Sequence, residues 1–174
     1  MRFRIALALC AALLGAAGLY GVRLGVAAQS ELRPAAPEIE QLVKQAIEDR
    51  LAAGDLPDLK LLGTPARIAV REEMPEAGLK LGPGALPQRE GHEFHFISQT
   101  AAQRQADRDL RAVHFIAVDV PAITGEVATL RLGVDVALPS RVAQMKMCCC
   151  WAQGRFRLAD GRWTFVQWLN IYCP

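Results

Sequence analysis

Asp160-Gly161 stands between two runs in which apolar and polar residues alternate, Ala152 to Leu158 before it and Trp163 to Ile171 after it. An Asp-Gly pair in that setting favours a two-residue type I′ turn, because both positions tolerate a positive φ and the twist of the turn matches that of the strands. The chain is therefore expected to close with an antiparallel hairpin. Counting outward from the turn sets Leu158 against Trp163, Phe156 against Phe165, Gly154 against Gln167, Ala152 against Leu169, Cys150 against Ile171 and Cys148 against Cys173. That face is almost wholly apolar. The opposite face carries Trp151, Trp168 and Tyr172 among arginines and Val166, an aromatic area that suits a pocket wall, a homodimer interface or a second core layer.

A second stretch of period two begins at Val113. Val113, Phe115 and Ala117 alternate up to a turn signal at Thr124-Gly125, and Ala128, Leu130, Leu132, Val134 and Val136 alternate away from it. An even loop centred on Thr124-Gly125 puts both apolar sets on one face. In that register His114 lies opposite Asp135, close to Arg131.

Upstream the period is helical. Ile39, Leu42, Val43, Ala46, Ile47 and Leu51 form one apolar stripe, with Pro37 fitted to the first helical position, Glu38 and Glu40 at the positive end of the dipole and Gly54 as the stop. Residues 65–71 and 93–97 read as short strands. Thr100 and Gln103 match a capping box that would start a second helix over residues 101–111, with Ala102, Ala106 and Leu110 inward. Between the two strands, residues 72–91 hold three prolines and four glycines, so the segment is expected to be irregular, either mobile or a flap over a site.

The N-terminus has the form of an export signal. Arg2 and Arg4 precede a run from Ile5 to Val22 without charge, and Val26-Ala27-Ala28 offers a small-residue cleavage site. The same run is long enough to serve as an uncleaved membrane anchor. The expected organisation is thus a signal or anchor over residues 1–28, a linker over 29–36 and one domain over 37–174. Cleavage would remove three of the 20 basic groups and none of the 18 acidic ones, which turns the balance slightly negative and argues against a nucleic-acid partner. Export also makes disulfides the expected state of the cysteines, in a periplasmic or secreted setting.

Two helices, an irregular segment and long antiparallel strands are the element order of a small α+β roll. Three segments carry a family likeness: the helix end Leu51-Ala-Ala-Gly-Asp-Leu56, the strand start Thr124-Gly-Glu-Val-Ala-Thr-Leu130 and the closing turn Leu158-Ala-Asp-Gly-Arg-Trp163. Through them the chain resembles the NTF2-like (SnoaL-like) superfamily. The resemblance implies N-terminal helices packed on a curved antiparallel sheet, a cone-like roll with an internal pocket, frequent dimerisation, and a role as either enzyme or binding module.

Few residues carry chemistry. His114 with Asp135 could act as an acid-base pair, the carboxylate fixing one ring nitrogen and leaving the other as a base; a cross-strand polar pair on a solvated surface is the plainer reading. The resemblance adds interest, since pocket His/Asp pairs serve some enzymes of that superfamily. No nucleophile motif accompanies the pair. His92-Glu93-Phe94-His95 lacks the spacing that aligns two ligands on a helix, and no metal or cofactor is expected from it. Cys148-Cys149-Cys150 could bind a metal through thiolates, but only Cys148 and Cys150 share a strand face, which favours disulfide use. The expected bridge is Cys148–Cys173, with Cys149 and Cys150 as alternatives should a bulge at Gly154 or a diagonal pairing intervene. With Trp151, Trp168, Tyr172 and Arg131 as the pocket or interface set, the chain reads as an exported module that binds a small ligand or an envelope partner. Its alternatives are a His114/Asp135 enzyme and a thiol or metal-binding protein.

Overall fold

The computed structural model describes residues 32–63, 66–145 and 149–173. The stretch read as an export signal or anchor, residues 1–28, the first three residues of the linker and Cys148 lie outside them. The fold is mixed α+β, with two helices and one large sheet.

Helix α1 (Pro37–Ala53) forms where the stripe predicts it. Pro37 occupies the first turn, Gly54 takes the left-handed conformation at φ 70°, and its N–H reaches the Arg50 carbonyl at 3.0 Å. Leu42, Val43, Ala46, Ile47 and Leu51 are buried in the main core. Helix α2 (Gln99–Asp109) starts two residues earlier than the capping-box reading. Ser98 is its cap, the hydroxyl accepting from the Ala101 N–H at 3.1 Å, and Gln103 instead donates to the Leu138 carbonyl at 2.7 Å. Ala102 and Ala106 point inward as expected, whereas Leu110, just past the helix, turns left-handed at φ 53° and is exposed.

The large sheet runs in the order β5 (Glu93–Ile97), β2 (Arg67–Arg71), β6 (Val113–Thr124), β7 (Val127–Ala137), β8 (Trp151–Ala159), β9 (Arg162–Tyr172) and does not close. It is not purely antiparallel, as the roll reading had it. Strand β2 lies parallel to both β5 and β6, because helix α2 carries the chain from β5 across to β6 without reversing its direction. Ile116 and Val118 join the core under α1, while Phe115 and Ala117 join Ala102 and Ala106 of α2. Since successive strand residues point to opposite sides, the two helices cover opposite faces of the sheet.

Residues 72–91 are irregular but packed. β3 (Glu73–Met74) and β4 (Leu79–Lys80) form a small sheet with β1 (Arg33–Pro34), which lies in the stretch read as a linker. Met74, Leu81 and Ala85 are buried in the main core, and the Gly82 N–H donates to Glu40 Oε1 at 2.7 Å. Three buried side chains and a bond to α1 anchor the segment, contrary to the mobile reading.

The first hairpin departs from its expected register. Its turn is Gly125-Glu126, and Val120 and Pro121 together oppose the single residue Leu130. Proline has no N–H for the ladder, so a bulge is where a strand can hold it. The turn position and the bulge together move the pairing by one residue. His114 faces Val136, and Phe115 faces Asp135. His114 and Asp135 therefore project from opposite faces of the sheet.

The second hairpin keeps its turn, with Asp160 at φ 52° and Gly161 at φ 74°. Leu158 faces Trp163 and Phe156 faces Phe165, as counted from the sequence. Beyond them the register slips twice, at Val166 and at Leu169, so that Gly154 faces Trp168, Ala152 faces Ile171 and Trp151 faces Tyr172. The two extra residues on β9 carry Cys173 past two positions of β8. It bonds to Cys150, with S–S 2.01 Å and Cα–Cα 4.2 Å, and the expected Cys148–Cys173 bridge is thereby replaced by one of its alternatives. Cys149 is disulfide-bonded as well.

Candidate functional site

On the face that α2 covers, the far ends of four central strands converge on a cleft of about 350 Å³ lined by Arg71, Glu76, Asp119, Arg131, Asp135, Trp151 and Tyr172. Arg71 is the last residue of β2, and Asp119 is the last residue of β6 before the bulge. Asp119 pairs directly with Arg131 on β7, four residues before Asp135 on the same face. Trp151 opens β8 and Tyr172 closes β9 as its partner. Glu76 comes from the short 3-10 turn Pro75–Ala77 that follows β3. At the middle of this floor Gly133 faces Trp151, and a Cβ there would lie 2.5 Å from the Cys150 carbonyl oxygen. Only glycine lets β8 come that close.

Arg71 is buried and fully engaged. Its Nη2 donates to Asp119 Oδ2 at 2.7 Å, its Nη1 lies 3.5 Å from Asp135 Oδ2, and its Nε donates to the Glu73 carbonyl at 3.1 Å. Arg131 pairs through Nη2 with Glu76 and sits 3.6 Å from Asp119 Oδ2. Both guanidiniums stand over the Trp151 ring, at 5.2 Å for Arg131 and 5.8 Å for Arg71. Asp135 Oδ1 also accepts from the Val136 N–H at 2.8 Å.

Asp119 is 3% exposed. Burial pushes its carboxyl above the ordinary range, with Arg71 acting against the rise. Among the described residues, its Oδ1 and the Arg131 Nε are both buried without a hydrogen-bond partner. A buried acceptor and a buried donor left open in one cleft are uncommon in a folded protein.

Four residues singled out from the sequence meet here: Arg131, Asp135, Trp151 and Tyr172. His114 does not. It is half-buried on the opposite face, where burial holds its imidazole below the ordinary value. Trp168 is also elsewhere, because the bulge at Val166 turns it to the core side, with its ring 4.9 Å from that of Phe165. The expected single aromatic face is thus two separate groups. Cys150 and Cys173 adjoin Trp151 and Tyr172, so the disulfide fastens the end of the aromatic wall. With Cys149 and Cys150 both in disulfides, neither offers a thiolate, and no group of His, Cys, Asp and Glu among the described residues is placed to hold a metal.

Arg71, Glu76 and Asp119 were not foreseen. Pro121 is the signal that could have found one of them, since a bulge at that proline puts Asp119 on the face of Arg131 and Asp135. A second cleft, of about 490 Å³, is lined mainly by Leu51, Leu59, Leu62, Ala66 and Ile68, with Arg89 and His92 as its charged and polar groups. It is larger, but it lacks the convergence of polar groups that fixes a ligand's orientation.

Comparison with family models, with curated proteins and with solved structures gives no match. Among the described residues no helix is long and apolar enough to cross a membrane.

Proposed function

We propose that the chain is an exported binding module and that the cleft between Arg71, Asp119, Arg131 and Trp151 is where its small ligand or envelope partner docks. The observation that carries this reading is the cleft's own composition. Removing charges from water is expensive, and an apolar filling of similar volume is often as stable as a buried ion-pair cluster or more so. Here five charged side chains gather beside Trp151 and Tyr172, and one buried acceptor and one buried donor lack a hydrogen-bond partner among the described residues. Such an arrangement is better accounted for by recognition than by stability. The Cys150–Cys173 bridge supports export, since disulfides persist outside the reducing cytosol.

The NTF2-like resemblance and its cone-like roll stand beside this as our reading of the architecture, supported by the helix-then-sheet order and by a pocket next to the central strands. An acid-base role for His114 with Asp135 finds no support in the register.

The test is to purify the full chain under native conditions, release what it carries and identify it by mass spectrometry. A compound or partner enriched on the native chain and lost from Arg131→Ala supports the reading. Equal recovery from both chains, or nothing on either, refutes it.

A further inference from the structure

The larger cleft, of about 490 Å³, is walled by aliphatic side chains from three places: Leu51 near the end of α1, Leu59 and Leu62 of the 3-10 turn Leu59–Leu62, and Ile68 of β2. Its volume lies in the range that small molecules occupy in proteins. Among the described residues that line it there is no carboxylate, and its titratable groups are Arg89 and His92. The His92 Nδ1 lies 3.2 Å from the Glu90 carbonyl, which can only accept, so the proton of the neutral ring is used there and its other nitrogen offers no donor. The cation of this cleft is therefore Arg89.

Arg89 is exposed, and among the described residues its guanidinium has no ion pair or hydrogen bond. It also borders a neighbouring cleft that holds Glu48, Asp49 and Arg162, yet both acids there are engaged. Asp49 Oδ1 lies 3.1 Å from Arg162 Nη2, and Glu48 Oε1 accepts from the Gln88 N–H at 2.8 Å. That second bond, with the one from the His92 N–H to the Arg89 carbonyl at 3.1 Å, holds the backbone on both sides of Arg89. A cation without a partner thus stands beside an aliphatic wall. A ligand with an apolar chain and an anionic end uses both features, and it needs only one polar contact to set its direction.

We propose that this cleft is a second binding site, for an aliphatic chain of medium length ending in a carboxylate, the chain lying against Leu51, Leu59, Leu62 and Ile68 and the carboxylate pairing with Arg89. Each methylene that leaves water against the wall strengthens binding by about fourfold. The pair with Arg89 selects against a cationic head.

Amide spectra of the full chain, isotope-labelled and titrated with octanoate, test this, with butanoate and octylammonium as comparison ions. The expected result is that octanoate moves the signals of Leu59, Leu62, Gly63 and Gly91, all at the cleft, while octylammonium leaves them in place. Butanoate, four methylenes shorter, should bind about tenfold more weakly or worse. Arg89→Gln alters an exposed side chain and should keep the fold, yet weaken octanoate binding by about threefold or more. Shifts with octylammonium at the same concentrations, butanoate as effective as octanoate, or equal octanoate binding by Arg89→Gln overturn the assignment. No shift at the cleft with octanoate also overturns it.

Discussion

Replacing Cys150 and Cys173 together by alanine removes the bridge without leaving a stray thiol, and its effect can be worked out from the structure. The two cysteines are 23 residues apart. Releasing a loop of that size in the unfolded chain corresponds to about 3.4 kcal/mol at 25 °C on the chain-entropy account. Little packing is lost in the folded state, because Asn170, Ile171 and Tyr172 at the end of β9 are exposed. Residual hairpin structure around Asp160-Gly161 in the unfolded chain would reduce the figure, so the expected loss is about 2–3.5 kcal/mol. Equilibrium urea unfolding reads it directly, and the slope should rise as the unfolded state expands. Hydrogen exchange should quicken at the Trp151 and Tyr172 end of the hairpin and stay slow near Trp163. A loss below about 1 kcal/mol would refute the entropic reasoning. Peptide mapping of the unreduced chain that finds Cys173 joined to a cysteine other than Cys150 would refute the register.

Deleting Val166 removes one of the two extra residues of β9 and leaves every pair beyond it in place, so the Cys150–Cys173 bridge should persist; peptide mapping that finds Cys173 joined to a different cysteine would show that Val166 is not the unpaired residue. Gly133→Ala places a Cβ against the Cys150 carbonyl oxygen and should destabilise by about 1–3 kcal/mol, with a change in tryptophan fluorescence as β8 moves away; urea unfolding unchanged from the parent would contradict the close approach. Burial lowers the His114 imidazole from its ordinary 6.5, so below that pH the unfolded chain takes up the proton first and stability falls until the folded value is passed. His114→Asn should make that acid loss smaller without abolishing it, because His95 is lowered in the same direction by burial and by Arg67; the pH dependence of the urea midpoint measures both.

What could be read from the sequence was what local chemistry dictates. The stripe of α1, its glycine stop, the strand at residues 93–97 and the Asp160-Gly161 turn all depend on neighbours close in the chain, and each forms where its residues indicate. The errors arose where one residue changes a long count. Strict alternation from the Asp160-Gly161 turn reaches Cys148, and two bulges move the answer to Cys150. In the first hairpin one bulge at Pro121 inverts the faces of half the strand, separating His114 from Asp135 and joining Asp119 to Arg131. Parity is unforgiving in this way, because a single inserted residue exchanges the two sides of everything beyond it. Arg71 was hidden for a different reason. It meets Asp119 only because β2 lies parallel to β6, and the crossover that makes this so leaves no period in the sequence.

The bulges of β9 have a consequence beyond the disulfide. Among the described strands β9 is one margin of the sheet, 11 residues long, with Val166, Ile171 and Tyr172 exposed along it. A straight margin of that length would offer a continuous row of N–H and C=O groups to any strand that met it, and with such side chains it would favour stacking of one molecule on the next. Two interruptions break the row into short pieces, too brief for a foreign strand to zip along. The opposite margin, β5, is guarded by charge, where Glu93 pairs with Arg67 at 3.4 Å. The irregularities that misdirect a reader of the sequence thus also keep the molecule from polymerising through its own sheet.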